Sequence, residues 1–202
     1  FHSHDVGMSI ERVLELKRAW LLSAWDIQVF AFPALYEEIT VGTSPHLFRG
    51  IFAYRNFWIR NKEGEYLVKA DSEWFCIDTE KGRPQKITEE LVEPFGKPQD
   101  VLHLPPLQRK ITFPEGWQAG QDFPVPREYL DTNHHMNNAI YVSKARNLID
   151  EDFKVKKIGV QYKKAAVLHD IILPRITKDK DSYIINLADK DGDTYAVVKF
   201  DY

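Results

Sequence analysis

Two stretches of this 202-residue chain read as one hairpin written twice, and that repeat constrains the fold more than any other feature. The run Trp58-Ile59-Arg60-Asn61-Lys62-Glu63-Gly64-Glu65-Tyr66-Leu67-Val68-Lys69-Ala70 has its turn at Glu63-Gly64. The run from Asn186 to Val198 has its turn at Asp191-Gly192. An acidic residue followed by glycine between β-prone runs is a strong hairpin signal, because the glycine accepts the left-handed backbone that tight turns need. Upstream of each hairpin, Ile27-Gln28-Val29 is echoed by Ile158-Gly159-Val160 at nearly the same spacing. A chain of this length can hold one large domain or two small ones, and the repeat selects two related halves.

Between the halves, Pro94-Phe95-Gly96-Lys97-Pro98-Gln99-Asp100 and then Pro105-Pro106 read as an extended linker. The expected division is a first half over 1–93, a linker over 94–109 and a second half over 110–202. Each half should contain one helix and several strands. Ser9 can cap a short helix through Lys17, and Asn137 or Asn138 can cap one running through Tyr141, Ala145 and Leu148. Strands are expected over 24–32, 37–43, 46–60, 66–78, 122–127, 155–164, 168–176, 182–188 and 194–201. Strands joined by hairpins make an antiparallel sheet, so the class is α+β.

Composition excludes several functions. With 44% apolar and 13% aromatic residues a packed core is available, which argues against disorder. The formal charge of −3 gives no reason to expect nucleic acid as a partner. No apolar run approaches the roughly 20 residues that span a bilayer. The one cysteine, Cys76, rules out an internal disulfide and fits a reducing compartment, so a cytoplasmic location is expected. Cys76 sits in the run Glu73-Trp74-Phe75-Cys76-Ile77 and reads as a buried strand residue rather than a nucleophile. The chain opens at Phe1 rather than methionine, so its natural start is expected upstream.

Chemistry concentrates in Asp131-Thr132-Asn133-His134-His135-Met136-Asn137-Asn138-Ala139-Ile140-Tyr141. Here a carboxylate, imidazoles and carboxamides precede an amphipathic segment. Histidine can hold or transfer a proton near neutral pH. Amide N–H groups at a helix start can steady a developing negative charge. The plain alternative is that Asp131 and the asparagines only serve the turn and the cap.

A helix on an antiparallel sheet, repeated, with Asp-x-Asn-x-His-Met-Asn-Asn-x-x-Tyr opening the second helix, resembles the acyl-acyl carrier protein thioesterases. Trp25-Asp26-Ile27-Gln28-Val29 and Ala70-Asp71-Ser72-Glu73-Trp74 resemble the family's first half, and the likeness covers nearly the whole chain. It implies a tandem, or double, hotdog: each half an antiparallel sheet wrapped around a helix. His4 and Gly7 resemble the tail of the first hotdog helix, so the preceding strand and most of that helix are expected to be missing from the 1–93 half. The implied activity is hydrolysis of fatty acyl thioesters on acyl carrier protein, which ends chain elongation with a free fatty acid. The family's catalytic groups fall on Asp131, Asn133 and His135. Asn137, Asn138 and Tyr141 are expected to contact substrate. By the same analogy, some first-half aromatics line the tunnel for the acyl chain. Plant members carry a Glu-Cys pair after Tyr-Arg-Arg, whereas Tyr162-Lys163-Lys164 is followed here by Ala165-Ala166.

No Gly-x-Ser-x-Gly elbow occurs, so direct attack by water is expected instead of a covalent acyl-enzyme. Either Asp131 or His135 could take the water's proton, and the missing Glu favours Asp131, with His135 hydrogen-bonded to it. No cofactor is expected, and no metal: His2, His4 and Asp5 mimic a ligand set, but no second cluster supports zinc. Lys144, Arg146, Lys156 and Lys157, with Lys154, Lys163 and Lys164 nearby, form the densest basic cluster and could dock an acidic carrier. A solvated face is the plainer reading of such a cluster. An acyl-CoA thioesterase, a non-catalytic acyl-binding regulator and a hotdog dehydratase are the rival functions. Paired halves within one chain make either a monomer or a homodimer workable.

Overall fold

The computed structural model describes residues 2–98 and 101–202; Phe1 and, within the expected linker, Gln99 and Asp100 lie outside the described residues. The chain divides into two compact units, Phe1–Leu107 and Gln108–Tyr202.

The first unit opens with two short helices, α1 (His2–Asp5) and α2 (Ile10–Glu15). Ser9 caps α2, its hydroxyl accepting from the Arg12 amide, which satisfies one of the free N–H groups of a helix start. The expected helix through Lys17 stops two residues early. Lys17 takes a left-handed φ of +58°, and its N–H bonds to the Leu14 carbonyl. Four long strands follow: β1 (Arg18–Val29), β2 (Ile39–Arg49), β3 (Phe52–Asn61) and β4 (Tyr66–Asp78). They pair antiparallel in the order β2-β3-β4-β1. A short β5 (Arg83–Pro84) folds back on the end of β4. Met8, Val13, Cys76 and Leu91 form a small core cluster, with Trp20 and Phe95 against it.

Three strand expectations need correction here, and the first, 24–32, runs instead over Arg18–Val29. The run 46–60 is two strands, because Gly50 (φ +66°) and Ile51 form a tight turn that pairs Arg49 with Phe52. A lone glycine within an apolar run was the available signal. Conversely, 37–43 continues through Pro45 to Arg49, because a bulge between Pro45 and Leu47 absorbs the proline that cannot donate to the ladder. Past β5 come α3 (Glu89–Val92) and a 3-10 turn, Glu93–Phe95. Phe95 stacks on His2 and lies tilted against Phe48, so the first residues of the expected linker pack into the first unit. Further on, the Leu102 N–H donates to Asn56 Oδ1 at 2.9 Å.

The second unit has β6 (Gln118–Ala119), β7 (Phe123–Pro124), α4 (Asn138–Arg146), β8 (Lys157–Tyr162), β9 (Ile171–Lys178), β10 (Ser182–Ala188) and β11 (Thr194–Asp201). The order is β8-β11-β10-β9, with β6 and β7 both on the outer edge of β9. The expected strand 122–127 shrinks to β7, since Pro124 and Pro126 have no N–H to give a ladder. Val160, Ile185, Leu187, Val198 and Phe200 are fully buried, and α4 lays Tyr141 and Ala145 against β10 and β11. Burying each such side chain stabilises by about 1.5–3 kcal/mol.

The repeated hairpins have the same turn. Gly64 (φ +83°) and Gly192 (φ +92°) donate their N–H groups to Asn61 and Asp189. In each, the side chain of that first residue accepts the N–H of the last: Glu65 to Asn61 Oδ1, Asp193 to Asp189 Oδ1.

Candidate active site

The stretch Tyr129–Asn137 closes on itself as a miniature hairpin. The Asn137 N–H donates to the Tyr129 carbonyl (2.8 Å), Leu130 bridges Met136, and the Asp131 N–H donates to the His135 carbonyl (2.8 Å). At the tip, His134 adopts a left-handed φ of +61° and donates its N–H to the Asp131 carbonyl. The Asp131 carboxylate ties the tip from within. Its Oδ1 accepts the amides of Asn133 (2.8 Å) and His135 (3.2 Å). Asp131 therefore meets His135 through the main chain, not through the imidazole as expected. Only Oδ2 is left for other work. Asp131 is half-buried, while Asn133, His134 and His135 are exposed.

Asn137, the first of the two alternatives, caps α4: its Oδ1 accepts the Ala139 N–H (2.9 Å) and its carbonyl the Ile140 N–H (3.0 Å). Of the helix-start amides expected to face a developing oxyanion, those of Ala139 and Ile140 are thus already engaged. Asn138 is exposed, and its carbonyl accepts the Tyr162 hydroxyl (2.9 Å).

Ala166 secures the hairpin from below. Its carbonyl accepts the Met136 N–H (2.8 Å), and its own N–H donates to the Tyr141 hydroxyl oxygen (2.9 Å). Both Ala166 and Tyr141 are buried, Tyr141 at 2% exposure. Burial pushes the Tyr141 hydroxyl up to about 12; the charges of Asp170 and Asp131 push the same way, and the Ala166 amide opposes them. The loop carrying Ala166 is held in turn by Asp170, whose Oδ2 accepts the Val167 N–H (3.0 Å) and the Tyr195 hydroxyl (2.9 Å). Burial, followed by the bond to Asp170, raises the Tyr195 hydroxyl as well. Ala166, Asp170, Tyr162 and Tyr195 hold the candidate groups in place. Asp170 bonds Val167 only three residues away, but the bonds of Tyr162 to Asn138, of Ala166 to Met136 and Tyr141 and of Tyr195 to Asp170 span segments distant along the chain, which no local pattern marks.

The basic cluster disperses. Lys144 lies over the rings of Tyr129 (4.7 Å) and Phe123 (5.5 Å), beside the miniature hairpin. Arg146 is used locally, donating to the carbonyls of Asp150 and Glu151 past the end of α4. Lys156 covers Tyr202, Lys164 pairs with Asp189, and Lys157 is half-buried on β8. Among the described residues no group of three or more His, Cys, Asp or Glu is arranged to hold a metal ion.

Sequence models of the acyl-ACP thioesterase N-terminal and C-terminal domains match residues 1–95 and 116–202. The chain belongs to the acyl-ACP thioesterase family. It is 22% identical over 221 residues to oleoyl-acyl carrier protein thioesterase 2, chloroplastic, of Arabidopsis thaliana, covering 96% of this chain. It spans only 58% of that relative's length. Among solved structures, one from Lactobacillus plantarum, assigned as an oleoyl thioesterase, superposes with a TM-score of 0.86 at 23% identity, covering 98% of this chain and 81% of that one. An acyl-ACP thioesterase from Bacteroides thetaiotaomicron gives 0.84 at 19% identity, covering 100% of this chain and 83% of that one. At such identities the superpositions speak for the fold alone, and that fold is the tandem hotdog. Among the described residues no helix is long and apolar enough to cross a membrane.

Proposed function

We propose that this chain is the core of a thioester hydrolase that releases fatty acids from acyl carrier protein and so terminates chain elongation. The observation that carries this reading is the Asp131–His135 tip: a half-buried carboxylate and exposed polar groups tied by short hydrogen bonds ahead of α4, in a chain whose two halves both match the family. The proposed chemistry is direct attack by water, with no covalent acyl-enzyme. Cys76 is buried, and burial pushes its thiol up, away from the reactive thiolate.

Asp131, Asn133 and His135 are the proposed catalytic groups. Asp131 takes the proton of the attacking water through Oδ2, the oxygen not used by the tip amides. His135 is the alternative base, since its exposed ring can meet the same water. The Asn133 carboxamide donates to the thioester oxygen, a role that the engaged amides of Ala139 and Ile140 leave open. Asn138, at the exposed helix start, is proposed to touch the substrate, while Asn137 and Tyr141 position the loop.

For carrier docking the reading narrows to Lys144, next to the hairpin, with Lys156 and Lys157 as more peripheral contributors and Arg146 reserved for its backbone partners. One functional hotdog per half, joined by a linker over 94–109, is the proposed division. The proposed compartment is the cytoplasm, supported by the single unpaired cysteine. A monomer and a homodimer both suit this arrangement.

Free acid release from acyl-carrier substrates of short to long chain length, alongside the matched acyl-CoA series, tests the proposal. Turnover concentrated on carrier substrates supports it; turnover on acyl-CoA alone reassigns the carrier, and none on either refutes hydrolysis. Charge reversal at Lys144 should raise KM at low salt and lose that effect at high salt, where screening removes steering.

A further inference from the structure

The first unit contains a cavity of about 120 Å³ whose walls include Trp20, Phe48, Trp74 and Phe95. Into this aromatic pocket β3 projects one guanidinium, Arg55. Its partners among the described residues are neutral: Nη1 donates to Thr43 Oγ1 (3.0 Å), both terminal nitrogens approach His2 Nδ1 (3.3 and 3.4 Å), and the carbon centre sits 5.7 Å from the Phe95 ring centroid. Among the described residues no carboxylate pairs with Arg55. Guanidinium groups withdrawn from water are ordinarily paired, since the solvation they lose must be replaced. Burial does act on this one, lowering its pKa. His2 is held neutral by burial and by the Arg55 charge, which leaves its Nδ1 as an acceptor instead of a second cation.

We infer that this pocket binds an aliphatic carboxylate head-first, its two oxygens on the Arg55 fork and its tail along Trp20, Trp74 and Phe48. The planar fork matches a carboxylate in two parallel hydrogen bonds. The volume, about four waters' worth at roughly 30 Å³ each, holds the head and the first few methylenes, and the rest of a longer tail extends through the pocket's open side. An acyl chain entering tail-first would put hydrocarbon against the guanidinium. The pocket therefore discriminates by the group at the leading end of the ligand. This does not depend on the hydrolytic reading, because binding needs no thioester.

The test uses the full chain and compares hexanoate with hexanamide, equal in size but neutral, by tryptophan fluorescence and calorimetry. Trp20 and Trp74 line the cavity and supply the signal. Hexanoate should bind about tenfold or more tightly than hexanamide, as expected of charge-assisted over neutral hydrogen bonds. Arg55→Gln should remove that preference and leave hexanamide binding in place; Arg55→Lys, which keeps the charge but not the fork, should retain part of it. Equal affinities in the unsubstituted protein, no saturable binding of either ligand, or a preference that survives Arg55→Gln would each overturn the inference. The unsubstituted comparison stands even if a variant fails to fold.

Discussion

The two halves share a strand plan and an identical turn, yet they place their polar groups in opposite ways. In the second, β8–β11 enclose a mostly apolar interior, with Asn186 on β10 as its buried polar side chain, and Asp131, Asn133 and His135 ride on a loop outside it. In the first, polar side chains are sunk into the sheet. Ser44, Asn56 and Asp71 occupy facing positions on β2, β3 and β4, all buried, and His46 Nε2 lies 2.9 Å from Asp71 Oδ1. The edges differ too: β9 is flanked by β6 and β7, whereas no described strand covers the outer side of β2. A repeated backbone thus leaves function to the side chains grafted on it. Our proposal assigns chemistry to the second half and ligand recognition to the first.

The largest test of that contrast is Asp131→Asn. Asparagine keeps an oxygen for the Asn133 and His135 amides but removes the charge, so the tip should survive while hydrolysis falls by about 10²–10⁴-fold. Unchanged turnover with unchanged thermal unfolding would make Asp131 a turn residue and erase the functional difference between the halves.

Alkaline pH comes next. A hydroxyl that titrates near 12 when folded and near 10 when unfolded keeps its stabilisation below pH 10 and loses it as pH rises from 10 through about 12. For Tyr141 that amounts to about 2–3 kcal/mol, with Tyr162 and Tyr195 shifted in the same direction. Denaturant titrations at pH 9 and 11 should show the second half weakening; equal midpoints would contradict a buried, protonated Tyr141.

Removing that hydroxyl isolates its bond to Ala166. Tyr141→Phe should leave the Ala166 amide buried without an acceptor and cost about 1–3 kcal/mol. It should also lower kcat more than it raises KM, since it loosens the loop and not a substrate contact. A comparable loss confined to the first half is expected from Gly42→Ala. The indole of Trp58 crosses Gly42 so closely that an added Cβ would lie 2.1 Å from Trp58 Cε2. About 1–3 kcal/mol of overpacking should appear in the denaturation midpoint, and no shift would mean the ring moves aside freely.

The smallest effect belongs to the caps. Asn137→Ala should cost about 1 kcal/mol and Ser9→Ala about half that, because α2 has six residues, largely exposed, and α4 has nine packed on the sheet. Equal losses would show that packing does not set the value of a cap.

Several of these features were legible beforehand for a local reason. Ser9, Asn137, Glu63-Gly64 and Asp191-Gly192 act on amides two to four residues away, so the segment itself contains both partners. The Asp131 motif was legible for the same reason, as Asp131 bonds residues 133 and 135. The break at Gly50 was local too, but a single glycine in an apolar run signals weakly. The burial of Tyr141 was not legible, because an exposed helix start and a buried face lie one turn apart, and only packing says which side a ring takes. The basic cluster looked continuous because its members are close in sequence, while their side chains leave α4 and β8 toward different partners.

By itself the sequence determined two β-rich halves, the turns inside their hairpins, the starts of two helices and the tip that presents Asp131, Asn133 and His135. Tertiary structure alone decided that Ala166 holds that tip, that Trp58 covers Gly42, and that Arg55 points into an aromatic cavity with no carboxylate paired to it among the described residues. Each of the first group is settled within a few residues by backbone geometry and short side-chain bonds. The second group brings together residues far apart along the chain. Their meeting depends on strand register and on how side chains share the interior, which no local pattern records.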